Sequence, residues 1–386
     1  MSQKIISARQ VLAGDPLTAE RDFGLFIDGE RIADIAPVSV LLAKYPNVEH
    51  LDYGDATLLP GLIDCHTHLD WDCTIPNYVE ESQECEGRLA IIGQRNMALD
   101  LRSGVTTARY MGGHFFLDIK FREYVRSGFV NGPKVKASGI GMRSSAGHGY
   151  IGIPTDGEDA IISTVRKNLL NGADWIKFYS TGSHLNAKGF PSSFYTEAET
   201  RLIIDMAHRA GVPVTSHCVG GQGMTDAIAC GIDCLEHCYF ATDDHIEMML
   251  KAGTHVCLTM SEYFTEKEFM PTAMAKNFEK YRSIVHQRMR AIISSGIPYV
   301  LGTDGMHGRL WEEAVYLVEH GGTPESAVRA LTVDAARLLG VADSVGSLEV
   351  GNAADILVVA GAPLSDITAL SQVLAVYQNG MYISRS

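Results

Sequence analysis

The sequence lacks the features by which membrane-spanning and exported chains are usually recognised. None of its apolar runs reaches the ~18 residues that a bilayer crossing requires. Its first residues contain no long apolar core followed by a small-residue cleavage site, so no signal peptide is predicted. Low-complexity tracts and long charged blocks are missing too, while 46% apolar and 20% charged residues are near the globular average. The composition therefore excludes a disordered chain, a collagen-like repeat and a coiled coil.

Positive charge is in short supply. The 386 residues include 32 Lys and Arg against 46 Asp and Glu, a net charge of −14. Such a chain repels nucleic acid phosphates and anionic lipids, so neither nucleic acid nor a membrane is expected as a partner. The eight cysteines form no CxxC pair and several lie inside apolar runs. Free buried thiols are thus favoured over a disulfide framework, and a cytoplasmic location is predicted.

Short β-type runs alternate with helical patterns through the middle of the chain. Residues 158–171 and 197–210 carry apolar positions at three- and four-residue spacing, which predicts helices. The eight β-type runs are residues 61–69, 104–111, 133–141, 174–180, 212–219, 234–240, 254–260 and 298–304. Eight strands alternating with helices predict an α/β fold, with a closed (β/α)8 TIM barrel over residues 59–345.

The two chain ends have a different pattern. Residues 1–58 and 346–386 contain short alternating runs with Asp-Gly or Asn-Gly turns, which are typical of strands and hairpins. Two β-rich ends that enclose one barrel can pair with each other. We therefore expect a small β-sandwich domain, built from residues 1–58 and 346–386. Two unrelated frayed tails are the alternative, which the alternating pattern disfavours.

Residues that bind metals recur at the ends of the predicted strands. His66 and His68 are one residue apart in an extended run, so both imidazoles point to the same face and can grip one cation. The alternative interpretation is a pair of surface histidines, but the apolar run before them favours a strand that ends at a site. Active sites of such barrels lie at the carboxyl ends of the strands. Further polar residues near predicted strand ends are Lys177, His217, His237 and Asp304.

Lys177 lies in the middle of an apolar run, where a charged amine is costly to bury. A lysine that snorkels to solvent is the alternative interpretation. The functional interpretation is a neutral amine that reacts with carbon dioxide to form a carbamate, whose two oxygens can bridge two divalent cations. Each polar residue taken singly fits a hydrogen-bonded core position, but their coincidence at one face favours a metal site.

Together these motifs resemble the amidohydrolase superfamily, specifically its binuclear branch with a carboxylated lysine. The match spans nearly the whole chain. Within the superfamily the chain is most similar to the imidazolonepropionase-related hydrolases that include prolidase-like Xaa-dipeptidases. The segments that carry the resemblance are residues 60–68, Lys177, His217, residues 236–237, residues 302–304 and residues 346–356.

The resemblance implies a metal centre with two divalent ions. Zn²⁺ suits imidazole and carboxylate ligands, and Mn²⁺, Fe²⁺ or Co²⁺ can substitute. Carbon dioxide or bicarbonate is required to carboxylate the lysine. A hydroxide that bridges the ions is expected to attack the substrate, with Asp304 as general base and then acid. The implied ligands are His66, His68 and Asp304 for the more buried ion, His217 and His237 for the more exposed ion, and carboxylated Lys177 between them.

The resemblance also places side chains beside the substrate. His148, on the loop after the third strand, is expected to be catalytic and to touch the oxygen that becomes negative, as a histidine in a similar position does in the related dipeptidases. Arg109 and Tyr110 after the second strand, and His184 on the loop after Lys177, are further expected substrate contacts. Solvent-exposed loop positions are the alternative for both histidines. Relatives often have Asp where this chain has Tyr110, so this subsite differs. No site for an organic cofactor is expected.

The predicted function is a metal-dependent amidohydrolase that acts on a carbon–nitrogen bond of a small molecule, foremost the peptide bond of a dipeptide. Lactones, cyclic amides, carbamates and phosphonate or phosphate esters fit the same centre. A mononuclear deaminase is disfavoured, because Lys177 is present and no Glu stands three residues after His217. A non-catalytic relative would have lost several ligands. Relatives are often homo-oligomers, so this chain is a candidate homo-oligomer.

Overall fold

The computed structural model describes residues 3–148, 152–182, 191–266 and 272–383. It is a mixed α/β fold in which parallel strands alternate with helices through the middle of the chain. Short strands from both ends of the chain lie beside this part. Among the described residues, no helix has both the length and the apolar character that a membrane crossing needs.

The N-terminal segment forms seven short strands and one helix. They are β1 (Gln3–Ser7), β2 (Gln10–Ala13), β3 (Thr18–Arg21), β4 (Phe23–Asp28), β5 (Arg31–Pro37), α1 (Val38–Lys44), β6 (Glu49–Asp52) and β7 (Ala56–Pro60). Four of these strands make a sheet in the order β5-β4-β1-β6. The turn between β4 and β5 contains Gly29 at a φ of 63°, a left-handed conformation that glycine adopts without strain. The Asp-Gly turn predicted from the sequence is thus present.

The central part of the chain supplies the parallel strands. They are β8 (Leu62–Thr67), β9 (Val105–Tyr110), β10 (Lys134–Ala137), β11 (Met142–Arg143), β12 (Ile153–Pro154), β13 (Ile176–Tyr179), β14 (Val214–Cys218), β15 (Cys234–His237), β16 (His255–Leu258) and β17 (Tyr299–Leu301). One sheet has the order β10-β9-β8, and the other has the order β12-β11-β13-β14-β15-β16-β17. Each of the eight predicted β-type runs contains one of these strands.

Helices lie between these strands. They are α2 (Tyr78–Glu81), α3 (Glu86–Arg102), α4 (Leu117–Arg126), α5 (Glu158–Leu170), α6 (Glu197–Arg209), α7 (Gln222–Ala229), α8 (Asp243–Ala252), α9 (Ser261–Phe264), α10 (Thr272–Ser295), α11 (Leu310–Glu319), α12 (Pro324–Ala330) and α13 (Val333–Leu338). The two helices predicted from apolar spacing are α5 and α6. α6 begins with a capping box, in which Thr196 and Glu199 satisfy each other's backbone N–H groups.

Backbone hydrogen bonds connect the two parallel sheets at both edges. Asp174 N donates to Ala137 O at 2.7 Å, which joins β10 to the start of β13. Asp304 N donates to His66 O at 2.8 Å, which joins the end of β8 to the segment after β17. A Cβ at Gly302 would lie 2.5 Å from the His66 backbone nitrogen, so this close approach requires glycine. The first and last parallel strands therefore lie side by side.

The C-terminal segment returns to the N-terminal strands. It contains β18 (Ile356–Ala360), a 3₁₀-helix (Ile367–Ser371), β19 (Val373–Gln378) and β20 (Met381–Tyr382). β18 pairs antiparallel with β7 and completes a sheet in the order β20-β19-β18-β7-β2-β3. One hydrophobic cluster contains Ile6 and Leu25 from the first small sheet and Leu58 and Ile356 from this one. The chain ends thus pair, while the domain boundaries after residues 58 and 345 stay predictions.

All eight cysteines are free, and seven of them are buried. Cys65, Cys218 and Cys238, each next to a candidate metal ligand in the sequence, belong to hydrophobic clusters. Free buried thiols were the expectation from the sequence, and the structure agrees with it.

A buried ion pair ties the segment after β17 to α3. His307 Nδ1 lies 2.8 Å from Asp100 Oδ2, and His307 Nε2 lies 2.8 Å from the carbonyl oxygen of Trp71. Both ring nitrogens face acceptors, so the imidazole is bound in its protonated form. Although burial opposes the charge, the Asp100 carboxylate raises the pKa of His307 to about 9.

We expect this pair to stabilise the fold in a pH-dependent manner. A raised pKa in the folded state gives stability that is complete below the unfolded value of ~6.5 and is lost as the pH rises through about 9. The loss is on the order of 3 kcal/mol. Urea unfolding of the wild type and of His307→Gln between pH 6 and 10 measures it. Parallel stability curves for the two proteins would contradict the expected contribution.

Candidate metal centre

Five imidazoles form a continuous arc at the carboxyl ends of the parallel strands. Their rings follow one another with centroid separations of 5.5, 4.9, 4.6 and 4.4 Å. β8, β14 and β15 supply or immediately precede four of the rings, and the loop after β11 supplies the fifth. In order along the arc they are His68, His66, His237, His217 and His148.

One end of the arc forms a three-residue group with a carboxylate. The ligand atoms of His66, His68 and Asp304 lie within 4.8 Å of one another. Asp304 Oδ1 is 3.1 Å from His66 Nε2 and 3.3 Å from His68 Nε2. Burial opposes the charge on Asp304, but the nearby histidines hold the pKa of its carboxyl well below the usual range. Two imidazoles and an ionised carboxylate are a suitable donor set for a divalent ion.

The outer nitrogens of these histidines are bound to acceptors. His66 Nδ1 lies 2.7 Å from Glu236 Oε2, and His68 Nδ1 lies 3.0 Å from the carbonyl oxygen of Gly112. Acceptors at Nδ1 favour the tautomer with its proton there, which leaves the lone pair of Nε2 directed at the site. The acceptors at Nδ1 therefore orient both rings with Nε2 toward the site.

Glu236 is a component that the sequence analysis did not assign a role. It is fully buried, and its Oε1 accepts a hydrogen bond of 2.8 Å from Arg109 while its Oε2 faces His66. Arg109 and His66 hold the pKa of Glu236 well below its usual range, against the effect of burial. Its place directly before His237 in the sequence was the available signal.

The other end of the arc contains His217 and His237. His217 Nε2 is buried and has no hydrogen-bond partner among the described residues. His237 Nδ1 lies 2.7 Å from Thr259 Oγ1, so the His237 Nε2 atom is again the one left for the site. Burial lowers the pKa of both imidazoles well below the usual range, so both rings are neutral. A buried nitrogen without a hydrogen-bond partner is rare in a packed protein core but is expected where an ion binds.

Lys177 lies inside β13, which pairs with β14, and within electrostatic reach of the arc. Its side chain is 1% exposed, and no hydrogen bond or ion pair to its Nζ occurs within the part of the chain that the structure describes. The Nζ atom is 5.1 Å from the centre of the Tyr179 ring. Burial lowers the pKa of Lys177 from its ordinary value, which favours the neutral and reactive amine. This environment suits carboxylation of the amine.

The backbone is strained at the same place. His237, Cys238 and Asp304 have φ values of 76°, 57° and 50°, in the left-handed region that residues other than glycine rarely adopt. Each such residue costs on the order of 1–3 kcal/mol, a strain that clusters at functional sites. At His237 this conformation brings the ring to the inner face, next to His66 and His217. Regular strand alternation would instead place the side chains of Glu236 and His237 on opposite faces of the strand.

Arg109 and Tyr110 do not occupy the positions expected of them. Arg109 is fully buried, and its Nε donates to the Cys65 carbonyl while its guanidinium pairs with Glu236. Tyr110, also fully buried, belongs to the main hydrophobic cluster, and burial raises the pKa of its phenol well above the usual range. The expectation that they contact substrate is therefore corrected, because Arg109 positions Glu236 below His66 and Tyr110 points to the helices.

His148 is the last ring of the arc. Its ring centroid is 4.4 Å from that of His217 and 5.9 Å from that of Tyr179. Burial lowers the pKa of His148 to about 4, so the ring is neutral. His184 lies outside the described residues, so its expected substrate contact stays a prediction.

Glu262 is a second component that the sequence did not point to. It follows β16, lies in α9 and is partly exposed. The ligand atoms of His237, Glu262 and Asp304 lie within 4.8 Å of one another. A carboxylate next to both ends of the arc is therefore part of the site.

This fold and this donor set define a class of metal-dependent hydrolases. The chain belongs to the amidohydrolase family, whose sequence model matches residues 57–381. It is a hydrolase that acts on carbon–nitrogen bonds of small molecules, and the family uses divalent metal ions.

Known proteins similar to the chain agree with this assignment. It is 26% identical over 403 residues to an ochratoxinase of Aspergillus niger, covering 94% of this chain and 82% of that protein. It resembles the crystal structure of a Xaa-Pro dipeptidase with bound methionine in the active site, at 26% identity and a TM-score of 0.85, covering 99% and 100% of the two chains. A prolidase structure in complex with N-methylphosphonate-L-proline is 25% identical with a TM-score of 0.88, and both chains are covered completely.

Proposed function

We propose that this protein is a dipeptidase whose centre holds two divalent ions, in the first place Zn²⁺. The observation that carries the proposal is the arc of imidazoles that meets Asp304 at one end and lies within electrostatic reach of the buried amine of Lys177. The likeness to dipeptidase and prolidase structures over the full chain supports a dipeptide as the substrate.

The ligand assignment follows the two ends of the arc. His66, His68 and Asp304 would hold one ion, and His217 and His237 would hold the other. Lys177, once carboxylated by carbon dioxide or bicarbonate, would offer its two carbamate oxygens to both ions. The orphaned Nε2 of His217 and the buried amine of Lys177, neither of which has a hydrogen-bond partner among the described residues, support this assignment, since both are costly unless a ligand is bound.

The scaffold that we propose for this centre is a closed (β/α)8 barrel. Backbone hydrogen bonds at both edges of the parallel sheets support closure. Residues 59–345 form the barrel, and residues 1–58 and 346–386 form the β-sandwich domain beside it. Buried free thiols suit a reducing compartment such as the cytoplasm.

The residues of the site have separate roles in amide hydrolysis. The ions, when bound, polarise the scissile carbonyl and lower the pKa of water to near neutrality. Asp304 accepts a proton from the attacking water and delivers it to the leaving nitrogen. His148, whose ring lies beside that of His217, donates a hydrogen bond to the carbonyl oxygen as negative charge develops there.

Elemental analysis tests the centre directly. Protein expressed with added metal and bicarbonate is expected to contain about two transition-metal ions per chain. The metal-loaded protein is then screened for hydrolysis of dipeptides, and ochratoxin is included because of the ochratoxinase relative. A content of about one ion together with ammonia release would replace the proposal by a mononuclear deaminase. Two ions without cleavage of any dipeptide would keep the centre and reject the substrate.

Two histidine variants give a matched control. His217→Gln removes one ligand and is expected to lower the content to about one ion per chain. His208→Gln removes a histidine from α6, where His208 Nε2 lies 2.8 Å from Asp233, and is expected to leave the metal content unchanged. Equal metal content in both variants would remove His217 from the ligand set.

A further inference from the structure

We infer that Glu262 determines substrate specificity, and that its carboxylate receives the protonated amine next to the bond that is cleaved. The site would then select dipeptides with a free N-terminus over analogues in which this amine is missing. The inference rests on the proposed dipeptidase function and deepens it, because it assigns one end of the substrate to a named side chain.

Glu262 lies beside His237 and Asp304. Its carboxylate lies in a group with His237 and Asp304 whose ligand atoms are all within 4.8 Å of one another. In a dipeptide the free amine stands on the carbon attached to the scissile carbonyl. A carboxylate beside the residue that handles the proton of the scissile amide is therefore within reach of that amine. Glu262 is partly exposed, in contrast to His237, which is buried.

A chain of hydrogen bonds fixes the orientation of Glu262. His237 Nδ1 lies 2.7 Å from Thr259 Oγ1, which lies 2.7 Å from the Tyr239 hydroxyl. The Tyr239 hydroxyl lies 2.6 Å from Glu262 Oε2 and 2.8 Å from the Thr259 carbonyl oxygen. With Nε2 of His237 turned to the metal centre, Nδ1 donates to Thr259, Thr259 donates to Tyr239, and Tyr239 donates to the carboxylate.

The donor to Glu262 is held in the protein core. Tyr239 is fully buried, and its hydroxyl lies 2.6 Å from Glu262 Oε2. A carboxylate oriented in this way recognises an ammonium group through a charge-assisted hydrogen bond, which is stronger than a neutral one. The same network links the orientation of His237 to that of Glu262.

The test compares one substrate pair on the metal-loaded enzyme. The pair is the best alanyl dipeptide of the screen and its propionyl counterpart, which differs only in lacking the amine. The wild type is expected to prefer the alanyl compound in kcat/KM by ~10- to 100-fold, the worth of one hydrogen bond to a charged group. Glu262→Gln is expected to lose this preference by reducing cleavage of the alanyl compound alone.

Two further variants and the metal content distinguish a loss of amine recognition from a loss of metal or of the fold. Tyr239→Phe removes the donor to Glu262 and is expected to reduce the preference in part. Glu266→Gln neutralises an exposed carboxylate four residues further along the chain and is expected to behave as the wild type. Thermal unfolding and metal content are measured for each variant.

Three outcomes would overturn the inference. Equal cleavage of both compounds by the wild type removes the role of the amine but leaves the dipeptidase proposal intact. Loss of metal from Glu262→Gln, with equal loss of both activities, makes Glu262 a metal ligand instead. A wild type that binds two ions and cleaves no dipeptide rejects the proposed substrate, and the inference with it.

Discussion

Lys177→Ala is expected to lose most of its bound metal and to hydrolyse its substrate ~10³-fold more slowly or worse, the cost of several kcal/mol of metal-ion stabilisation. Lys177 is 1% exposed and lies inside β13, within electrostatic reach of His66, His217 and His237. In the proposed centre, the side chain at position 177 would connect the two metal ions only after carboxylation to a carbamate. Alanine has no amine and cannot be carboxylated. Metal content and kcat/KM of the variant measure the effect.

Chemical rescue separates a missing bridge from a damaged fold. Short carboxylic acids added to Lys177→Ala fill the space of the carbamate and are expected to restore part of the activity. Lys136→Ala is the matched control, since Lys136 lies on β10 with its Nζ 3.9 Å from Asp174, and this variant is expected to keep metal and activity. Full activity of Lys177→Ala without an additive would falsify the bridging carbamate.

Asp304→Asn is expected to bind much of its metal and yet to lose ~10²- to 10⁴-fold in kcat, the range typical of a missing general base. Asparagine keeps a carbonyl oxygen near the His66 and His68 rings, where Asp304 Oδ1 lies at 3.1 and 3.3 Å. Its amide cannot accept a proton from water. Metal content and single-turnover rates measured on the same preparation separate the two effects.

A control for this substitution is available on α6. Asp205 is exposed, and Asp205→Asn is expected to match the wild type in metal content and rate. If Asp304→Asn turns over as fast as Asp205→Asn, proton transfer must be assigned to another group.

Much of the fold follows from local pattern. Apolar spacing predicts α5 and α6 to within about a residue at each end, because one face of a helix recurs every 3.6 residues. Each β-type run contains a strand, since buried parallel strands are short apolar runs between helices. The same reasoning predicts that His66 and His68 share a face, and the structure places both rings at one carboxylate.

Local sequence pattern does not predict the positions of the side chains around the centre. Alternation along β9 puts Arg109 and Tyr110 on opposite faces, but it does not say which face is the inner one or how deep each side chain lies. The buried carboxylate of Glu236 decides this, because it binds the Arg109 guanidinium below His66. Both expected substrate contacts were wrong for this reason.

The sequence by itself determined the order of strands and helices, the β-rich character of both chain ends, and the residue types able to bind a metal, since each depends on neighbours along the chain. Only the tertiary structure decided which of them meet. His237 enters the site through a left-handed backbone that regular alternation does not predict, and Glu262 reaches it through hydrogen bonds from Tyr239. Contacts between distant segments depend on how strands and loops pack in space, which local sequence patterns do not specify.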